Sequence, residues 1–249
     1  MSGHNKWSKI KRAKGSEDAK RSKVFSRFSK EITIAVKEGG EDPEGNPRLR
    51  TAIQNAKGAS MPKEVIERAI KKSNKDTSQF VELNYEGYAP NGIAVFLECA
   101  TDNQHRTIAN VRAIFNKNDG SLSKNGSLSF VFDRKGVFNI KKEAINDIDT
   151  FELEVIDAGA EDFEIDDDLV TVTTSMEDFG TMQKKLEEIE IVPENSGLER
   201  IPNNTEELPV EKALRVLKII DLFEEDDDVQ KVYHNLELTD ELVIEYEKE

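Results

Sequence analysis

The sequence predicts an α+β protein of three domains: a small N-terminal helical domain followed by two ferredoxin-like α/β domains. Three observations predict it. Apolar residues recur at helical spacing up to a Lys75-Asp76-Thr77-Ser78 linker, and at mixed strand and helix spacing beyond it. The elements after Gly136 read βαββαβ, the order of a ferredoxin-like unit. A helix–strand pair is left over near the C-terminal end, and it supplies what an earlier, incomplete βαβ lacks.

Taken in order, residues 1–17 show little periodicity and read as a basic flexible arm that orders on binding. A helix begins near Ala19, with Phe25, Phe28, Ile32, Ala35 and Val36 on one stripe, and Gly39-Gly40 ends it. Asn46-Pro47 is a cap followed by proline at the first helical position. The second helix then presents Leu49, Ala52, Ile53 and Ala56 and stops at Gly58. A third starts at Ser60-Met61-Pro62 with Val65, Ile66, Ala69 and Ile70 inward. Three short amphipathic helices cannot each bury a stripe alone, so residues 18–76 are expected to form one helical domain.

Past the linker, Ile93 to Cys99 reads as a strand introduced by Pro90-Asn91-Gly92. A helix capped by Asp102 or Asn103 carries Ile108, Val111, Ile114 and Phe115, and Leu128 to Phe132 reads as a second strand. The second set comprises strand 137–140, helix 148–158, strands 163–165 and 169–173, helix 176–189 and a short strand at Ile191-Val192. The tail adds a helix through Ala213, Leu214, Leu217, Ile220 and Leu222 and a strand from Val229 to Leu236. The expected layout is therefore an α/β domain of residues 77–134 plus 206–249, interrupted by an inserted ferredoxin-like domain of residues 135–205. Three sequential domains with a C-terminal appendage are the simpler alternative.

The net charge of −15 hides a division along the chain. Residues 1–75 hold 19 Lys/Arg and 9 Asp/Glu, a net of +10, while residues 76–249 carry −25. Such a split marks a nucleic-acid or membrane-facing end on an acidic body that repels phosphate. No apolar run approaches the ~18 residues of a membrane span, and no signal peptide follows the basic start. The single cysteine, Cys99, excludes an intramolecular disulfide and a cysteine-rich metal site, and fits the reducing cytosol. Trp7 and Ile10 lie among Lys6, Lys9, Lys11, Arg12 and Lys14. An exposed Trp between lysines stacks on bases while the lysines displace counterions. Against this stand two plainer readings, a solubilising tail and a Trp7 docked on the protein's own helices.

Catalytic patterns are sparse. There is no P-loop, GxGxxG fingerprint, GxSxG elbow or HExxH helix, and His4, His105 and His234 are too scattered for metal ligation. Cys99 with Asp102 and His105 just beyond it is the sharpest enzymatic idea, set against a buried strand cysteine, a capping acid and a surface histidine. Asp166 to Asp168 and Glu224 to Asp228 lack the spaced ligands of a calcium loop and read as solvated turn acids. No enzyme, metal or cofactor is expected.

Several short motifs run in order through essentially the whole chain: Gly3-His4-Asn5-Lys6-Trp7, Asn46-Pro47-Arg48-Leu49-Arg50, Met61-Pro62-Lys63, Tyr85-Glu86-Gly87-Tyr88, Thr101-Asp102-Asn103, Phe132-Asp133-Arg134-Lys135-Gly136 and Asp228-Val229-Gln230-Lys231-Val232-Tyr233. In this series the sequence resembles the YebC/PmpR family. Ala89 and Asn91 depart from it where glycines are common, and His105 stands where His is unusual. The resemblance implies a cytoplasmic bacterial protein with one helical and two α/β domains, described in that family as a DNA-binding transcriptional regulator. It also implies a runner-up, a ribosome-associated translation factor acting on structured RNA and on synthesis stalled at proline-rich nascent chains. The expected partner is thus duplex DNA or structured RNA, with the ribosome as a further possibility and no membrane. The candidate nucleic-acid-binding residues are Lys6, Trp7, Lys9, Lys11, Arg12 and Lys14 on the arm, Lys20, Arg21, Lys23, Arg27 and Lys30 on the first helix, and Arg48 and Arg50 on the second. That second helix also carries Gln54, Asn55 and Lys57 as side chains able to read bases or to touch phosphates.

Overall fold

A computed structural model of the chain describes residues 17–73, 80–166 and 168–248, with side chains from residue 21 onward. Its described residues group into two compact units. One takes residues 17–23, 80–133 and 201–248, the other 24–73 and 134–200.

The second unit takes up three helices, α1 (Glu17–Gly39) from Val24 onward, α2 (Pro47–Gly58) and α3 (Lys63–Ser73). Their stripes meet in a core of Ile32, Ala35, Val36, Leu49, Ala52, Ala56, Met61 and Ile66, with Phe25 and Phe28 packed against it. Asn46 organises the α1–α2 corner. Its side-chain oxygen accepts from the Leu49 N–H at 3.1 Å, and its Nδ2 donates to the carbonyls of Ala35 and Gly40 at 2.8 and 2.9 Å. This cap satisfies groups that helix termini leave open. A Cβ on Gly39 would lie 2.6 Å from Asn46 Nδ2, which accounts for glycine there.

The same unit contains β4 (Phe132–Lys141), α5 (Ile148–Asp157), β5 (Ala160–Ile165), β6 (Leu169–Ser175), α6 (Phe179–Glu188) and β7 (Asn195–Pro202). The strand order β5-β6-β4-β7 is that of a ferredoxin-like sheet. Phe138, Ile140, Val170 and Val172 bury one face against Phe151, Val155, Met182 and Leu186 of the two helices. The expected short strand at Ile191-Val192 is displaced. Ile191 tucks against this core, Val192 is exposed, and the strand begins only after Pro193. The helix expected from Met176 starts at Phe179, whose ring stacks on Phe138 with centroids 4.8 Å apart.

The other unit is built on β1 (Val81–Tyr88), β2 (Ala94–Thr101), α4 (Gln104–Lys117), β3 (Ser121–Leu122), α7 (Val210–Glu225), β8 (Val229–His234) and α8 (Asp240–Glu247). Its sheet order is β3-β1-β2-β8. This is the ferredoxin-like order again, with β1, which comes first in sequence, in the place that β6 takes in the other sheet. The C-terminal β8 pairs antiparallel with β2, His234 opposite Val95. Strand β2 is buried on both faces. Val95, Leu97 and Cys99 meet Val111 and Phe115 of α4 and Val216, Ile220 and Phe223 of α7, whereas Ala94 and Phe96 meet Leu128, Phe132 and Tyr233.

Three expectations fail in this unit. The β1 strand is absent from the sequence reading because its first half is exposed and its second half buried on both faces, Glu86 included, which erases the alternation. Leu128 to Phe132 is not a strand: residues 125–131 form a turn that leads into β4. Leu128, Phe130 and Phe132 mimic strand alternation, but the Glu86 carboxylate captures the backbone N–H groups of Gly126 and Leu128, both at 2.7 Å. Helix α8 has a weak apolar stripe and was not expected. Asn91 adopts a positive φ of 65°, a conformation that glycine takes without strain and that asparagine tolerates better than most residues.

Candidate nucleic-acid interface

Lys6, Trp7, Lys9, Lys11, Arg12 and Lys14 lie outside the described residues, as does the Lys20 side chain. The described part of the interface begins at Arg21 on α1. At 3.6 residues per turn, Lys23, Arg27 and Lys30 fall opposite the stripe of Phe25, Phe28, Ile32 and Val36, whereas Arg21 falls on the stripe's side. Arg21 is exposed, and Lys23, Arg27 and Lys30 are half-buried, with Arg27 Nε shielded from solvent.

On α2 the candidate side chains separate by role. Arg48 pairs with Glu38 at 2.6 Å, tying α2 to the end of α1. Arg50 opens on a cleft of about 670 Å³ between α2 and the segments around Lys141 and Pro193. Its Nε is shielded and meets no acceptor among the described residues. Three cations, Arg50, Lys57 and Lys141, are balanced in that cleft by Glu44, Glu143 and Glu194, so it has no net attraction for phosphate. Asn55 reads no base. It is buried, its Nδ2 donates to the Ser196 carbonyl at 2.7 Å, and its Oδ1 accepts from the Ser196 N–H at 2.9 Å. The amide thus takes the place of a neighbouring strand at the edge of β7. Gln54 donates to the Pro193 carbonyl at 3.3 Å, and Gln183 of α6 donates to Thr51 at 3.1 Å. At Gly58 a Cβ would collide with the Glu194 carbonyl. The polar face of α2 is therefore largely a docking face for β7 and α6 of the same unit.

The motifs of the acidic part are also structural. Asp228 is buried at the start of β8 and accepts from Arg106 Nε and Nη2 and from the Thr107 hydroxyl, at 2.8–3.1 Å. Arg106 also reaches Asp102 at 2.9 Å. The hydrogen bonds to Asp228 and then to Asp102 raise the Arg106 pKa above its usual value. The 224–228 run is thus not wholly solvated: Asp226 additionally accepts from Asn110 at 3.0 Å. The signal available in the sequence is that Thr101-Asp102-Asn103 and Asp228 both belong to the motif series, although 126 residues separate Asp102 from Asp228. Cys99 lies in the core, while His105 is exposed on the first turn of α4. Asp102 serves Arg106, so the three residues form no nucleophile–base–acid chain. Tyr85, beside them, has its pKa raised by burial first and by the nearby Cys99 and Asp228 second. No group of His, Cys, Asp or Glu able to hold a metal ion occurs among the described residues. No described helix is long and apolar enough to cross a membrane.

The fold and these side chains define an α+β protein with an N-terminal helical segment rich in Lys and Arg, two four-stranded sheets, and sequence motifs whose side chains serve as latches. The chain belongs to the TACO1/YebC family. Residues 5–76 match the TACO1/YebC protein N-terminal domain, and residues 80–236 match the TACO1/YebC second and third domain. A "Probable transcriptional regulatory protein" of Amoebophilus asiaticus is 52% identical over 95% of this chain and 98% of its own length. One from Geobacillus thermodenitrificans is 46% identical over 98% and 99%. The crystal structure of a conserved hypothetical protein from Aquifex aeolicus superposes with a TM-score of 0.80 at 39% identity, covering 90% of this chain and 93% of that one.

Proposed function

We propose that the protein is a cytoplasmic, non-enzymatic regulator of gene expression that binds nucleic acid through its basic N-terminal end, in the first instance duplex DNA as a transcriptional regulator. The observation that carries this reading is the charge division, +10 over residues 1–75 against −25 over the remainder. Only one end of such a molecule tolerates phosphate. The names of the relatives point the same way. The contact residues proposed are Lys6, Trp7, Lys9, Lys11, Arg12, Lys14, Lys20, Arg21, Lys23, Arg27, Lys30, Arg48 and Arg50. The proposed layout places them on an arm (1–17) and a helical domain (18–76). The discontinuous α/β domain (77–134 with 206–249) and the inserted domain (135–205) then serve as bodies of defined shape.

A second reading, structured RNA on the ribosome, is favoured by one observation. Asn55 and Gln54, the amide side chains of α2, are spent on Ser196 and Pro193, leaving that helix poorly equipped to read base edges. Phosphate and shape recognition without base readout suits structured RNA as well as DNA.

The test is a titration of promoter duplex, random duplex, structured RNA and intact ribosomes at matched salt. With about six phosphates neutralised, log K against log salt has a slope near −5 on duplex and about −4 on single strands. Replacing Lys9, Lys11, Arg12 and Lys14 together lowers its magnitude by ~3–4 on duplex for all sequences alike. An unchanged slope refutes the proposal, and the preferred ligand decides between the two readings.

A further inference from the structure

We propose that the outer face of α5 is a docking surface for a lysine- or arginine-rich amphipathic segment of a partner protein. Phe151 and Val155 turn one side of this helix into the core beneath it. Positions 149, 152, 153, 156 and 157 are spaced i, i+3, i+4, i+7 and i+8, so they share the opposite side. They carry Asp149, Glu152, Leu153, Ile156 and Asp157. Leu153 and Ile156, one turn apart, are 66% and 50% exposed. A third aliphatic side chain, Ile165, is 50% exposed on the edge strand β5. It lies on the helix side of that strand, two residues beyond Phe163, whose ring is 6.0 Å from that of Phe151.

The charges select the occupant. Helix α5 contains no lysine or arginine. Lys185 reaches Glu154 at 3.9 Å, on the flank of the helix and off this face. Asp149 and Asp157 are exposed and Glu152 is half-buried, and none of the three meets a cation among the described residues. Asp157 moreover stands in the last turn, at the negative end of the helix dipole, where a carboxylate is disfavoured. These acids repel nucleic acid and anionic lipid, and a second α5 laid against the first would set carboxylate on carboxylate. A segment with aliphatic side chains one turn apart and cations beside them meets every demand of this face. Its apolar side covers Leu153 and Ile156, and its cations pair with Asp149, Glu152 and Asp157 and offset the dipole.

The experiment is an anisotropy titration of the full-length protein against a labelled lysine–leucine peptide of about four helical turns, its leucines at i, i+3, i+4 and i+7. A glutamate–leucine peptide of the same pattern and a lysine–leucine peptide of scrambled order are the controls. The patterned cationic peptide is expected to bind, the scrambled one more weakly and the glutamate peptide not at all. L153S/I156S weakens binding roughly 10- to 100-fold without changing its salt dependence. E152Q/D157N weakens it and flattens the salt dependence. Both variants retain the wild-type melting temperature and the wild-type affinity for duplex, which separates this surface from the basic end. L153S/I156S binding within about twofold of wild type, or the scrambled peptide matching the patterned one, assigns the binding to acidic surface at large and overturns the proposal. A salt dependence untouched by E152Q/D157N overturns it too. Sedimentation of the wild-type protein alone tests the remaining occupant, the cationic end of a second copy: a monomer supports the proposal, and a self-association abolished by L153S/I156S overturns it.

Discussion

Asn55 tests whether the helical segment and the β4–β7 sheet are joined by specific hydrogen bonds or merely lie together. Its amide makes two bonds to the backbone of Ser196, and both residues are buried, 7% and 2% exposed. Asn55→Ala leaves one N–H and one C=O without partners. At ~1–3 kcal/mol for each orphaned buried group, and with some relaxation, the loss is about 2–4 kcal/mol. Asn55→Asp is more discriminating. The acceptor half survives, but a carboxylate oxygen then faces the Ser196 carbonyl, with burial and repulsion both acting against the charge. The folded-state pKa of that carboxyl is raised, so the folded protein binds the proton more tightly than the unfolded chain. Stability then falls as pH rises above the unfolded value of about 3.9, and is regained on acidification relative to Asn55→Ala. Urea denaturation followed by circular dichroism near neutral pH and at mild acid measures both effects. An Asn55→Ala protein within about 0.5 kcal/mol of wild type refutes the latch, that being the ordinary range for surface substitutions. An Asn55→Asp protein with no pH dependence beyond that of Asn55→Ala refutes the donor geometry.

Glu86→Gln places an amide donor against the N–H of Gly126 or Leu128; it is expected to cost ~1–3 kcal/mol and to open the 125–131 turn to limited proteolysis. Cys99→Ser puts a hydroxyl into the core, so thermal stability drops by the ~1–3 kcal/mol of an uncompensated polar group, while nucleic-acid affinity of the folded protein is unchanged; loss of binding in a folded variant contradicts a purely structural thiol. Asp147 has its pKa lowered, first by the Thr150 hydroxyl and then by the Thr150 backbone N–H. The stability it contributes is therefore present above the unfolded carboxylate pKa and lost as pH falls through the folded one, so Asp147→Asn flattens the acid limb of the stability profile.

The helical segment was almost fully legible, because Asn46-Pro47, the paired glycines and a regular stripe are local signals. The β4–β7 sheet with its helices was legible in element order, and the reading failed at Ile191-Val192, where a core contact imitates a strand. The first sheet was legible only in part. Strand β1 carries a buried Glu86 whose partners lie some forty residues on, and periodicity cannot register a carboxylate that folds a turn. The same limit governed the candidate site. Asn55 and Asp228 read as surface groups because polarity in one dimension implies solvent, whereas their partners, Ser196 and Arg106, are brought to them only by the fold. Charge division needed no structure at all.

The pairing of β2 with β8 sets an order of events during synthesis. The apolar run Ala94 to Ala100 leaves the ribosome long before Val229, its neighbour in the sheet, exists. With roughly 130 residues still to be made at ~5–20 per second, β2 waits on the order of ten seconds with one edge uncovered. The β4–β7 sheet, contiguous in sequence, has all its strands by Pro202 and is able to close within that interval. A nascent chain in this state carries a finished module ahead of an unfinished, adhesive strand. Pauses between residues 202 and 229 therefore prolong that one vulnerable state.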